Sequence, residues 1–304
     1  MNSRFHRLPP APRPRRPCTG PSLYCCALLA ALIGAVLPGR AVAGPAEQLV
    51  GLINAYRAAP GRCDGRLVDG LAPLSPHPAL VRLRITTGTF LEPALERLGY
   101  HAQQADAIVI VGADSASDAM DTIKERYCRN LLSADFSAIG ITRMGKDWQI
   151  VLAQPTLPLS LPPWPDAGKD ILVAVNRARA ASRHCGERAF PPAPPLVWND
   201  QLGATALAHS EDMTVQKYFA HRGKDGSTVG ERATRAGYKW RIIGENIASG
   251  QTTAAEAVEG WLASPGHCVN IMEPAFTEMG AAYAIRKDRY PGRVYWTQAF
   301  GTPR

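Results

Sequence analysis

An α+β fold is predicted by three features of the second half of the chain: helical stripes of apolar residues, two β-type runs flanking a turn, and no regular strand–helix alternation. Residues 170–181 read as a short helix, because Ile171, Val175 and Ala178 recur on one face. Residues 199–218 read as a longer helix, with Leu202, Ala206, His209 and Met213 in one stripe and Asp200 near its start. Residues 252–263 form a third, with Thr252 or Thr253 as cap, Ala254, Val258 and Trp261 facing inward, and Ser264-Pro265-Gly266 ending it. Strands follow at 280–286 and 293–300, joined by a Lys-Asp-Arg-Tyr-Pro-Gly turn.

The chain has 304 residues, 46% hydrophobic and 20% charged, enough to bury one large or two modest cores. Its net charge of +8 invites a nucleic-acid reading, but six arginines and no acid lie in residues 1–43, which leaves +2 for the rest. A chain so balanced is a poor phosphate-backbone binder, and nucleic acid is not expected as a partner. The Arg/Pro-rich start, the apolar run 23–37 and Ala41-Val42-Ala43 before Gly44 follow the order of a secretory signal peptide over residues 1–43. A spanning helix needs about 20 apolar residues, so removal of this segment is expected to leave a secreted or periplasmic protein with no membrane span. An uncleaved N-terminal anchor is the alternative. No lipobox-like cysteine stands at the cleavage point.

Four cysteines then remain, and an internal repeat chooses among their three pairings. Asn54 and Arg57 precede Cys63 as Asn176 and Arg179 precede Cys185, and Pro73-Leu74 and Leu80 match Pro195-Leu196 and Leu202. Gly88, Gly99 and Gly112 have the spacing of Gly226, Gly237 and Gly250. Cys128, Phe136 and Gly140 have that of Cys268, Phe276 and Gly280. A duplicated fold pairs Cys63 with Cys128 and Cys185 with Cys268, each bridge contributing about 3 to 5 kcal/mol by chain-entropy bookkeeping. The organisation expected is a degenerate domain at 44–155, a Pro-rich extended linker at 156–168 and a complete domain at 169–304.

The residues able to carry chemistry lie in the second half: His209, His221, Glu245, His267 and Glu278. Imidazoles and carboxylates together hold a zinc-type ion or exchange protons. No compact H-E-x-x-H spacing joins them, and neither Ser210 nor Ser264 stands in a G-x-S-x-G elbow.

Several ordered motifs carry a family resemblance: H-S-E-D-M from His209, Y-F-A-H ending at His221, G-E-N-I-A-S-G from Gly244, W-L-A-S-P-G-H-C-V-N-I-M from Trp261, F-T-E-M-G from Phe276 and Y-W-T-Q-A-F-G from Tyr295. Together the second half resembles the CAP superfamily of cysteine-rich secretory proteins, antigen 5 and pathogenesis-related proteins, in its bacterial SCP-like branch. The resemblance implies an α-β-α sandwich with an open cavity where His221, Glu245 and His267 meet. Ser264 stands where the eukaryotic motif has its second glutamate, and Ser264, Glu278 and His209 are further candidates for the cavity. By the repeat, Glu245 falls on Ala107, His267 on Tyr127 and Glu278 on Ala138, and about sixteen residues around His209 and His221 are missing from the first half. Its Ala107–Gly112 run then reads as a buried strand.

Two functions follow. In the first, the cavity binds a small apolar ligand, a lipid, a cell-wall fragment or an extracellular protein, with zinc on His221 and His267 as the one cofactor in view. In the second, the protein is a metal-assisted hydrolase or peptidase in which Glu245 activates water. The first is preferred, because function belongs to the site rather than the fold.

Overall fold

The computed structural model describes residues 44–86, 88–156, 161–287 and 293–304. The segment 1–43 expected to be a signal peptide, residues 157–160 of the expected linker and most of the expected 287–292 turn lie outside them.

The first half runs α1 (Pro45–Ala58), the two-residue strands β1 (Arg62–Cys63), β2 (Arg66–Leu67) and β3 (Ser75–Pro76), then α2 (Pro78–Arg82), α3 (Leu91–Arg97), β4 (Ala102–Ile110), α4 (Ala116–Arg126), α5 (Cys128–Leu131), β5 (Ala138–Met144) and β6 (Asp147–Pro155). The second half runs α6 (Trp164–Arg179), β7 (Arg183–Cys185), β8 (Arg188–Phe190), β9 (Val197–Trp198), α7 (Asp200–Val215), α8 (Val229–Arg235), β10 (Trp240–Ser249), α9 (Ala254–Leu262), α10 (Pro265–Met272), β11 (Glu278–Arg286) and β12 (Arg293–Pro303). The fold is α+β.

In the second half the sheet order is β10-β12-β11-β9, antiparallel except for the short β9. Strand alternation sends Ala248, Met279, Ala281, Trp296 and Phe300 into the main core with α6, α9 and α10. Leu202 of α7 and Ala299 pack on the opposite face. This is an α-β-α sandwich. The contact between sheet and α7 depends on Gly280, where a Cβ would lie 2.0 Å from the Gly203 nitrogen and 2.3 Å from the Leu202 carbonyl carbon. Gly280→Ala is expected to cost about 1–3 kcal/mol through overpacking, read as a lowered midpoint in urea unfolding.

The first half is built alike. Its sheet order is β3-β5-β6-β4, with α1 and α4 on one face and α2 and α3 on the other. Asn54 bonds both backbone groups of Leu74 at 2.8 and 2.9 Å, and Asn176 bonds those of Leu196 at the same two distances. The matched glycines 88, 99, 112 and 226, 237, 250 all hold φ between 80° and 99°. Disulfides join Cys63 to Cys128 and Cys185 to Cys268.

The halves dock directly. Asn54 Nδ2 donates to the Ala263 carbonyl at 3.2 Å, Ser75 Oγ to that of Glu256 at 2.6 Å, Ser137 Oγ to that of Gly250 at 2.9 Å, and Gln251 Nε2 to that of Pro73 at 2.8 Å.

Two expectations are corrected. The linker does not extend to 168: α6 begins at Trp164, because proline in the first helical turn loses no hydrogen bond. Ser264-Pro265-Gly266 does end the third helix, since α9 stops at Leu262, and the same proline also starts α10, a helix the sequence reading did not include. The Ala107–Gly112 run is not fully buried. It belongs to an edge strand in which Ile108 and Ile110 face the core while Val109 and, just beyond the strand, Val111 are exposed. Among the described residues no helix is long and apolar enough to cross a membrane.

Candidate functional site

Glu245 is the centre of a polar cluster on the α7 face of β10, where it pairs in register with Ala299. Its side chain is buried, and both oxygens are engaged. Oε1 lies 2.9 Å from His221 Nδ1, and Oε2 accepts from Arg232 Nη2 at 2.6 Å. Arg232 comes from α8, whose first turn is set by a capping box between Thr228 and Glu231. Its guanidinium is buried and also donates to the carbonyls of Ser227 at 2.9 Å and His221 at 3.1 Å. One cation thus holds both the carboxylate and the backbone of the histidine that meets it. Sequence reasoning passed over Arg232; the T-x-x-E helix start just before it was the available signal.

His209 is wholly buried in the α7 stripe, as its helical spacing required. Its Nε2 lies 3.0 Å from the Ala220 carbonyl, which fixes the turn leading into His221, and 3.8 Å from Glu245 Oε1. Burial lowers its pKa, against the partial opposition of Glu245. It supports the cluster from beneath.

His267 sits in the first turn of α10. Its Nδ1 bonds Ser264 Oγ at 2.9 Å and its ring centroid is 6.5 Å from that of His221. Asn246, one residue past Glu245 and so on the opposite face of the strand, donates to the His267 carbonyl at 3.2 Å and accepts from Asn270 at 2.9 Å. Because β10 is the edge of its sheet, residues from both faces approach one another past that edge. The side chain of His221 is 58% exposed there. Burial, then the neighbouring His221, push the His267 pKa down to about 4, so this ring keeps its lone pair well below pH 6. Since the unfolded chain takes up this proton near the ordinary histidine value and the folded chain does not, folding stability falls as pH drops from about 6.5 towards 4.

Glu278 stands apart from this cluster. Its carboxylate accepts from the Tyr238 hydroxyl at 2.7 Å and from Asn199 Nδ2 at 3.3 Å, at the far end of α7. It ties a helix cap to a loop tyrosine.

The residue set is a poor fit to a three-ligand zinc ion. Among the described residues, the one group of three or more His, Cys, Asp or Glu with ligand atoms all within 4.8 Å of one another is Cys63, Asp64 and Cys128, and its cysteines are disulfide-bonded. His221, Glu245 and His267 do not form such a group, and the Glu245 oxygens are already spoken for by His221 and Arg232. The strand register also places Ala107 where Glu245 stands: Ala107 faces Val151, which faces Gly140, as Glu245 faces Ala299, which faces Gly280.

Residues 172–300 match the family model described as the cysteine-rich secretory protein family, CAP. The C-terminal half is a CAP domain. The chain is 36% identical over 106 residues to the protein YkwD of Bacillus subtilis and 32% identical over 105 residues to the membrane protein YlbC of the same organism. These matches take in 35% and 34% of this chain and span 39% and 28% of those proteins. Among solved structures, an extracellular protein containing a SCP domain from Bacillus anthracis is similar at 22% identity and a TM-score of 0.40, over 54% of this chain and 59% of that one. A cysteine-rich secretory protein from Staphylococcus aureus is similar at 12% identity and a TM-score of 0.34, over 52% of each chain. Within the CAP domain, Trp261 and Phe276 are packing residues. Trp261 is wholly buried with its Nε1 on the Ile247 carbonyl at 3.0 Å, and Phe276 stacks on Phe300 at 5.1 Å.

Proposed function

We propose that the chain is an exported CAP-domain protein that binds a polar ligand, a cell-wall fragment rather than a lipid, in the cleft bordered by His221, Glu245 and His267. The single observation that carries this reading is the closed bonding of Glu245. A hydrolase would use this carboxylate to activate water, yet both its oxygens serve to hold His221 and Arg232. The groups that remain open are imidazole edges, which suit hydrogen-bonded sugars and peptides better than a hydrocarbon chain. Two disulfides support export to an oxidising compartment. We also read the N-terminal half as a copy of the CAP fold without the imidazole–carboxylate cluster. The shared asparagine clamps, glycine conformations and sheet order support this.

Co-sedimentation with purified peptidoglycan tests the reading. His221→Ala together with His267→Ala should weaken retention by at least about tenfold, equal to about 1.4 kcal/mol, and Tyr127→Ala should leave it unchanged. Equal retention of all three proteins overturns the assignment, and release of soluble fragments by the unaltered chain favours the hydrolase.

A further inference from the structure

We propose that the N-terminal half carries a separate site for a small organic oxyanion, a carboxylate or phosphate with an apolar substituent, in the cleft between α3 and the preceding loop. This site does not rest on the reading of the CAP cleft. The cleft has a volume of about 360 Å³ and is lined by Arg84, Thr86, Thr89, Phe90, Pro93 and Arg97, with Ala94 beneath. That volume lies at the small end of the usual range for ligand pockets.

Charge is the first argument. Among the described residues neither Arg84 nor Arg97 has a carboxylate within 4.0 Å. The acid at the start of the same helix, Glu92, is turned away to accept from the Ala105 nitrogen at 3.0 Å, and Glu96 is not part of the lining. Two unpaired guanidinium forks at one concavity match an oxyanion in charge and in planar donor geometry.

Preorganisation is the second. Gln149, buried on β6, brackets Arg84: its Oε1 accepts from the Ile85 nitrogen at 3.1 Å and its Nε2 donates to the Leu83 carbonyl at 2.8 Å. Thr86 and Thr89 bond one another, Thr86 N donating to Thr89 Oγ1 at 2.9 Å and Thr89 N to the Thr86 carbonyl at 3.0 Å. The backbone on either side of Arg84 is thus held by Gln149 before any ligand arrives, which lowers the cost of ordering it on binding. The apolar wall is Phe90 with Pro93; Phe90 is 79% exposed, the most exposed of the large hydrophobic residues described.

The position in the fold is the third. Gln149 faces Thr142 in the sheet register as Thr297 faces Ala282, both two residues from the glycine pair of their sheets. Thr297 accepts from Ser210 of α7 at 2.8 Å. In the N-terminal half the stretch between Leu80 and Gly99 is shorter than that between Leu202 and Gly237, and Gln149 reaches the short loop instead. The whole cleft is built from this shortened stretch, the counterpart of the one bearing His209, His221 and Arg232.

Calorimetric titration of the full chain with octanoate and octyl phosphate tests the site, with octanol and inorganic phosphate as controls. At least one of the two anions should bind, and Arg84→Ser together with Arg97→Ser should weaken it by at least about tenfold. The melting temperature should stay unchanged, since both side chains are exposed. Octanol and inorganic phosphate should each bind at least about tenfold more weakly, and His221→Ala should leave affinity as it was. The proposal is overturned if neither anion binds, if the double arginine variant binds equally well, if inorganic phosphate or octanol matches the alkyl anions, or if His221→Ala abolishes binding.

Discussion

Replacing Glu245 by Ala is expected to destabilise the CAP domain by about 3–5 kcal/mol, the usual cost of removing one partner from a buried ion pair. The size follows from what is left behind. The Arg232 side chain is 8% exposed, its Nη2 donates to Glu245 Oε2 at 2.6 Å, and its other bonds go to carbonyls that carry no net charge. Without the carboxylate, a cation stays desolvated. Replacing both members at once, Glu245→Leu with Arg232→Met, should recover much of the loss, since neither charge is then stranded. His221→Ala should cost under about 1 kcal/mol, because an exposed ring gives up little on truncation. Denaturant unfolding of the disulfide-intact chain, followed by tryptophan fluorescence, gives all three values. A loss below about 1 kcal/mol for Glu245→Ala would show that Arg232 reaches solvent and that the cluster is not a buried unit.

The contrast between His221 and Arg232 marks what could be read from the residues alone. The motifs identified His221, Glu245 and His267, and His221 meets Glu245 directly while His267 comes near across the sheet edge. Partnership was harder to see. The Glu245–Arg232 bond depends on how α8 crosses β10, a tertiary relation with no signature in local spacing. Glu278 illustrates the opposite error: a glutamate in a family motif need not point to the cavity. Its position on β11 places it beside Tyr238 and the Asn199 cap instead.

For the fold, helix faces were legible because burial enforces a period. The stripe of Leu202, Ala206, His209 and Met213 is wholly buried. Among the elements missed was β10, whose Gly244-Glu245-Asn246 centre breaks the apolar run that marks a strand. Long-range pairing with β12 supplies the order that propensity does not. Pro265 marks two boundaries at once, since α9 stops just before it and α10 starts on it, and only the stop is legible from the proline itself.

The arginines before the first cysteine of each half were visible only as a repeated spacing, and they carry the second large expected effect. Arg179→Met should destabilise the CAP domain by about 4 kcal/mol, because several buried carbonyls lose a charged donor together, each worth about 1–3 kcal/mol and not fully additive. Its Nε donates to the Pro194 carbonyl at 2.7 Å, Nη1 to those of Ile271 at 2.7 Å and Glu273 at 2.9 Å, and Nη2 to that of Phe276 at 3.4 Å. One side chain therefore gathers the loop before β9 and the segment after α10. Arg57 repeats the arrangement on the carbonyls of Ala72, Leu131, Ser133 and Phe136. Burial, then the charge of Arg293, push its pKa down to about 9, so it stays protonated at pH 7 and donates through all its bonds. Arg57→Met should produce a loss of similar size, and Arg→Lys at either position should recover less than half of it, since an ammonium point cannot replace a planar fork spread over four acceptors. Calorimetric unfolding of the four variants checks this. A lysine variant as stable as the unaltered chain would show that charge alone, rather than the fan of carbonyl bonds, holds these segments together.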